Sequence, residues 1–164
     1  MIRCNRSLLA AAVLTLLCLP GMSQIARAQD DASQVQPTLY QRLGGLMPIS
    51  VVVSDFIDAL VPDPMLNANP AIDEARQQVP AAYLKYHVTA LVCQVTAGPC
   101  QYHGRTMKES HSHLQITDSE WQRMVVIFTE TLARHQVPER ETAELLEIIE
   151  STRADIVMPM ESGG

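Results

Sequence analysis

Aromatic side chains are scarce: two phenylalanines, one tryptophan and four tyrosines in 164 residues. Runs of β-branched residues are short as well. Both shortages argue against a β-sandwich, because strands favour these side chains. Basic residues are also few. Twelve lysines and arginines face eighteen acidic groups, and Arg3, Arg6 and Arg27 are the only charges in residues 1–28. Without that stretch nine basic groups face eighteen acidic ones, a balance of −9. An acidic body repels phosphate backbones, so no nucleic-acid partner is expected. Anionic membrane surfaces are disfavoured for the same reason. After residue 28 no apolar run reaches the roughly 20 residues that a bilayer span takes. No stable membrane insertion is therefore expected, and no internal repeat is evident.

What is present fits one globular domain, which typically runs to roughly 100–200 residues. The apolar share of 47 % and the charged share of 18 % are ordinary for such a domain. Residues 1–28 have the order of an export signal. Arg3 and Arg6 come first, then an apolar run from Leu8 to Leu19, then Pro20, Gly21 and a small-x-small site at Ala26-Arg27-Ala28. An uncleaved membrane anchor is the alternative. Residues 29–38 read as a flexible lead-in, 39–157 as the domain and 158–164 as a disordered tail. The mature chain is expected to be periplasmic or secreted. Cys4 and Cys18 would leave with the signal, and Cys93 and Cys100 would enter a compartment where disulfides persist. Two readings stand for that pair: a disulfide, or a buried apolar Cys93 with a free Cys100 thiol.

Apolar spacing in the domain is helical. Pro48 to Leu60 reads as a helix, with Gly44-Gly45 as a flexible approach to it. Residues 61–80, with four prolines, read as a long connector with at most short helical turns. Pro80 to Thr96 reads as the next helix, with Leu84, His87, Val88 and Leu91 on one stripe. Ala97-Gly98-Pro99 ends it, since glycine permits left-handed backbone. A shorter piece from Thr106 to Leu114 places Met107 and His111 on one face. Thr117-Asp118-Ser119-Glu120 is a capping-box signature, opening a helix that fades near His135. Pro138 starts the last helix. The sum is an all-α domain of five or six helices.

Five histidines, His87, His103, His111, His113 and His135, fall in the mature part. His135 and His103 read as surface residues. His87 and His111 differ, because each lies beside apolar residues on a helix. An imidazole in an apolar wall is what a haem iron takes as ligand. The competing readings are a satisfied core or surface histidine, or a metal site of His103, His111 and His113 in a non-haem metal-binding or interaction module.

Three segments resemble the group I truncated haemoglobins. The first is Leu39-Tyr40-Gln41-Arg42-Leu43-Gly44-Gly45 with Val51-Val52-Val53-x-x-Phe56. The second is Gly98-Pro99-x-x-Tyr102-x-Gly104-x-x-Met107-x-x-x-His111-x-x-Leu114-x-Ile116. The third is the capped helix with Trp121, followed by Val137-Pro138. The resemblance implies a two-over-two helical sandwich around one haem b, with His111 as the proximal iron ligand. It places Met107, Leu84, Val88, Phe56 and Tyr102 at the cofactor. It also implies a diatomic gas ligand, with nitric oxide or peroxide chemistry open to it. The family's distal tyrosine after the phenylalanine is Ile57 here, and its distal glutamine positions match Leu84 and Val88. His87 is then the polar group left on the distal stripe, and some relatives use that position as a sixth iron ligand. Such ligation would suit electron transfer with a redox partner protein. With no C-x-x-C-H sequence, thioether attachment is not expected.

Overall fold

A computed structural model describes residues 36–158. The expected export signal, most of the lead-in and the tail from residue 159 lie outside the described residues.

Side-chain caps decide where most helices begin. Thr38, Thr106 and Thr117 each accept a bond from the third backbone amide of the helix they precede. Gln41, Glu109 and Glu120 return a bond to the threonine backbone, so all three are complete capping boxes. They open α1 (Leu39–Arg42), α6 (Met107–His111) and α7 (Asp118–Arg134). Asp63 and Asn69 cap α3 (Pro64–Asn67) and α4 (Pro70–Gln78). This corrects the connector expected over 61–80. A proline directly after a capping Asp or Asn sits at the first helical position, where its missing N–H costs nothing. Pro64 and Pro70 therefore start helices, and α4 runs for nine residues.

The remaining elements are α2 (Leu46–Leu60), α5 (Ala81–Val95), α8 (Glu139–Ser151) and a short α9 (Arg153–Ile156). No strand lies among the described residues, only an isolated bridge between Ile116 and Val157. Met158, read as the start of the tail, donates its N–H to the Ile116 carbonyl at 2.9 Å.

Two helix pairs stack. α2 packs on α5 and on α7, and α7 on α8. Ile49, Val53, Phe56 and Ile57 of α2 meet Ile127, Phe128 and Leu132 of α7 and Leu145 of α8. Phe56 and Phe128 stand edge to face at 5.2 Å, so two of the few aromatics anchor the centre of the core. Arg42 holds α1 on α8 through Glu141 at 2.8 Å, with Glu144 as a second partner. Arg123 of α7 reaches buried Asp63 at 2.9 Å and pins α3.

Two turns differ from their sequence reading. Gly44 and Gly45, both at φ 85°, form a closed turn in which Gly45 N–H bonds the Tyr40 carbonyl at 3.0 Å. The Tyr40 hydroxyl then accepts the Leu46 N–H at 3.0 Å, so α2 is held at its start. After α5 the left-handed residue is Ala97, at φ 63°, and not Gly98. Gly98 is needed for space: a Cβ there would lie 2.5 Å from the Tyr40 ring and 2.7 Å from the Cys93 carbonyl oxygen.

Candidate haem site

α5 and α6 carry the two singled-out histidines, and neither helix buries its apolar face fully against protein. Of fifteen residues in α5 only Cys93 is buried, and α6 has none. α2, of equal length, buries four. Leu84, Val88 and Leu91 are half-buried, and so are Met107 and His111. Leu84 and Val88 pack against the edge of the core cluster to which Phe56 belongs. An apolar helix face left half-covered in this way fits a large flat apolar group, and the donor set fits its iron.

His111 is the donor that the resemblance singles out. It ends a five-residue helix, too short to stand alone, that is fixed by the Thr106–Glu109 box, by packing on α9, and by Asn69, whose side chain donates to the Leu114 carbonyl at 3.0 Å. His111 Nδ1 lies 2.8 Å from the Met107 carbonyl. A carbonyl only accepts, so Nδ1 carries the hydrogen and Nε2 keeps its lone pair. That is the usual second partner of a metal-ligating imidazole. Burial holds the His111 pKa below the ordinary histidine value; nearby His113 adds to this, and the Met107 bond opposes it. The neutral, ligating form is favoured.

The residues that the resemblance places on the distal side are poor in donors. Ile57 is 2 % exposed, at the place where the resemblance would put a tyrosine. Leu84 and Val88 offer only hydrocarbon. His87, half-buried, is held among tyrosines: Tyr83 at 4.1 Å between ring centroids, Tyr86 at 5.1 Å and Tyr102 at 6.0 Å. The Tyr83 contact has helical i,i+4 spacing and was readable in sequence; the Tyr102 contact crosses a loop and was not. Tyr102 is itself fixed, its N–H bonded to Gln94 Oε1 at 2.7 Å and its hydroxyl to the Arg105 carbonyl at 2.8 Å. Its phenol lies so close over Gly104 that a Cβ there would meet its oxygen at 2.2 Å. Lys85 ties α5 to Asp58 of α2 at 2.7 Å.

Cys93 and Cys100 are joined as a disulfide, which settles the pair left open by their spacing. His103 and His113 are exposed. Among the described residues no three His, Cys, Asp or Glu side chains could hold a metal ion together, so the geometry lends nothing to a cluster of His103, His111 and His113. His135 caps α7 and meets Asp55 at 2.8 Å, away from both singled-out histidines in role.

Comparison with known proteins gives one answer. A family model described as bacterial-like globin matches residues 38–158. A group 1 truncated hemoglobin of Chlamydomonas moewusii is 23 % identical over 129 residues, covering 77 % of this chain and 72 % of its own. A group 1 truncated hemoglobin of Nostoc sp. is 25 % identical over 120 residues, covering 73 % of this chain and 97 % of its own. Among solved structures, the truncated hemoglobin of Tetrahymena pyriformis in its Fe(III) form superposes with a TM-score of 0.62 at 20 % identity, covering 75 % of this chain and all of that one. The 2/2 hemoglobin of Synechococcus sp. PCC 7002, solved with covalently attached heme, gives 0.61 at 20 % identity, covering 74 % and 98 %. The chain is a haem-binding globin of the bacterial-like globin family, with the helical architecture of the truncated haemoglobins.

Proposed function

We propose that the chain holds one non-covalent haem b beside the half-covered faces of α5 and α6, ligated by His111, and exposes its other face to a diatomic ligand. The observation that carries this is the His111 imidazole. Its Nδ1 hydrogen is committed to Met107, its burial favours the neutral form, and its Nε2 lone pair is left for iron. Met107, Leu84, Val88, Phe56 and Tyr102 supply apolar contact. When bound, the haem supplies an iron that takes a small gas molecule on the distal side. There Ile57, Leu84 and Val88 exclude water but donate nothing. Bound oxygen carries partial negative charge and is stabilised by a donor, so the wall disfavours tight oxygen storage; nitric oxide or peroxide chemistry with a redox partner protein is the reaction class left open to the site. Export to the periplasm or beyond belongs to the same reading: the basic, apolar and small-x-small order of residues 1–28 supports it.

A second reading makes His87 a sixth ligand in a bis-histidyl electron carrier. It is favoured by one observation: His87 is the only imidazole on α5, and it is half-buried beside Leu84 and Val88.

The test is an absorption spectrum of the chain produced with haem supplied. A Soret band that His111→Ala abolishes is expected, and no Soret band in the unmodified chain overturns the assignment. A ferric spectrum that is low-spin, and turns high-spin on His87→Ala, selects the second reading.

A further inference from the structure

The contacts of His87 are tied to the disulfide by a short chain of bonds. Cys93 follows His87 by six residues on α5 and is fully buried. Its partner Cys100 lies two residues before Tyr102. The disulfide closes the loop after α5 back onto the helix. The Gly98 N–H bond to the Cys93 carbonyl at 2.7 Å and the Gln94 side-chain bond to Tyr102 N–H pull the same loop inward. The Tyr102 ring is thereby set edge to face with His87, and its hydroxyl grips the Arg105 carbonyl one residue before the Thr106 cap of α6. One loop thus touches both the helix of His87 and the helix of His111.

We propose that Cys100 and Tyr102 are positioning residues: the Cys93–Cys100 disulfide holds the Tyr102 ring against His87, and this bracket keeps the imidazole with the tyrosines and off the iron. The inference rests on the haem assignment made above and refines its distal side. Edge-to-face aromatic pairs of this kind shift an equilibrium by roughly two- to tenfold. Tyr83 and Tyr86 hold the imidazole from α5 itself and remain when the loop is freed. Loss of Tyr102 or of the disulfide therefore raises the share of His87-ligated iron by about that factor and does not make ligation complete.

The test uses the full chain in two states. In the haem-loaded ferric protein, Tyr102→Leu and Cys100→Ser are each expected to raise the low-spin fraction roughly two- to tenfold over the unmodified chain. Tyr102→Phe, which keeps the ring and loses only the hydroxyl bond to the Arg105 carbonyl, is expected to raise it less than Tyr102→Leu does, and adding His87→Ala removes the gain. In the haem-free protein, the imidazole C–H signals of His87, shifted by the neighbouring rings, are expected to move toward free-imidazole positions on Tyr102→Leu or on addition of dithiothreitol. Dithiothreitol also replaces Cys100→Ser if that variant does not fold. Unchanged His87 signals after the disulfide is shown by thiol titration to be broken overturn the proposal. So do free thiols located at Cys93 and Cys100 themselves by alkylation and peptide mapping of the untreated chain, or a ferric spectrum already fully low-spin through His87. If no haem is taken up, the haem assignment fails and the His87 signals alone decide the bracket.

Discussion

Ala97 carries a left-handed backbone, which costs an L-residue roughly 1–2 kcal/mol. The bonds from Ala97 N–H to Gln94 and from Gly98 N–H to Cys93 form a helix-ending motif that calls for glycine at this position. Ala97→Gly is expected to stabilise the fold by about 0.5–1 kcal/mol after glycine's extra unfolded-state entropy is subtracted, read as a higher urea midpoint. In the proposed haem site Ile57 stands where a hydroxyl donor would raise oxygen affinity. Ile57→Tyr returns a hydroxyl to the distal wall, and a hydrogen bond to a charged acceptor contributes about 1.5–3 kcal/mol. Oxygen dissociation is expected to slow roughly ten- to hundredfold, measured by stopped flow. Ile57→Phe controls for bulk in this tightly packed place, and equal rates in the two variants would count against a hydroxyl contact. Much at this scale was readable in sequence. Met107 and His111 lie within one turn of helix, so their shared face follows from spacing, while the ring bond to the Met107 carbonyl depends on the His111 rotamer. Whether Ala97 or Gly98 turns left-handed does not, because the closing bonds depend on where α5 stops.

Elements here are held by caps and by a few long-range ties. Asp63 shows both uses: it caps α3 through the Met65 and Leu66 amides and pairs with Arg123 across the core. Burial pushes its carboxyl pKa up, but the Arg123 bonds and the two amides outweigh burial and hold it below the ordinary value. A carboxyl lowered in the folded state contributes stability above its unfolded pKa of about 3.9 and loses it as pH falls through the folded value. The unmodified chain is thus expected to weaken on the acid side of about pH 4. Asp63→Asn keeps the cap and flattens that limb. Asp63→Ala also loses the cap, about 1 kcal/mol more at neutral pH. Urea midpoints at pH 7 and pH 3 separate the three chains. The disulfide closes only a short loop, so Cys100→Ser is expected to cost about 2–3 kcal/mol in the chain-entropy picture, seen in the same melts. The three Thr-x-x-Glu or Thr-x-x-Gln boxes are legible as local patterns. Pro64 and Pro70 look like breakers by themselves, and only the capping Asp63 and Asn69 before them make each a first helical residue.

At the scale of the described residues as a whole, the protein core is small and leaves α5 and α6 half-covered, and the proposed haem would complete it. A ligand bound only by the folded state stabilises by mass action, about 2.7 kcal/mol at a hundredfold excess over its Kd. Stoichiometric haem is therefore expected to raise the Tm by about 10 °C or more, and His111→Ala to remove most of that rise in calorimetry. A Tm indifferent to haem would show that the folded chain does not bind it.

By itself the sequence determined the long helices other than α4, the ends of α5 and α7, the start of α8 and the family. These rest on patterns a few residues long: helical periodicity, capping side chains and one spaced motif. Only the tertiary structure decided that Cys93 pairs with Cys100, that Tyr102 faces His87, and that Asp63 meets Arg123 sixty residues away. Each joins groups that no helix repeat brings together. Their meeting depends on how α2, α5 and α7 pack and where the loops between them close, which is set by the burial of many side chains at once and not by any one stretch of chain.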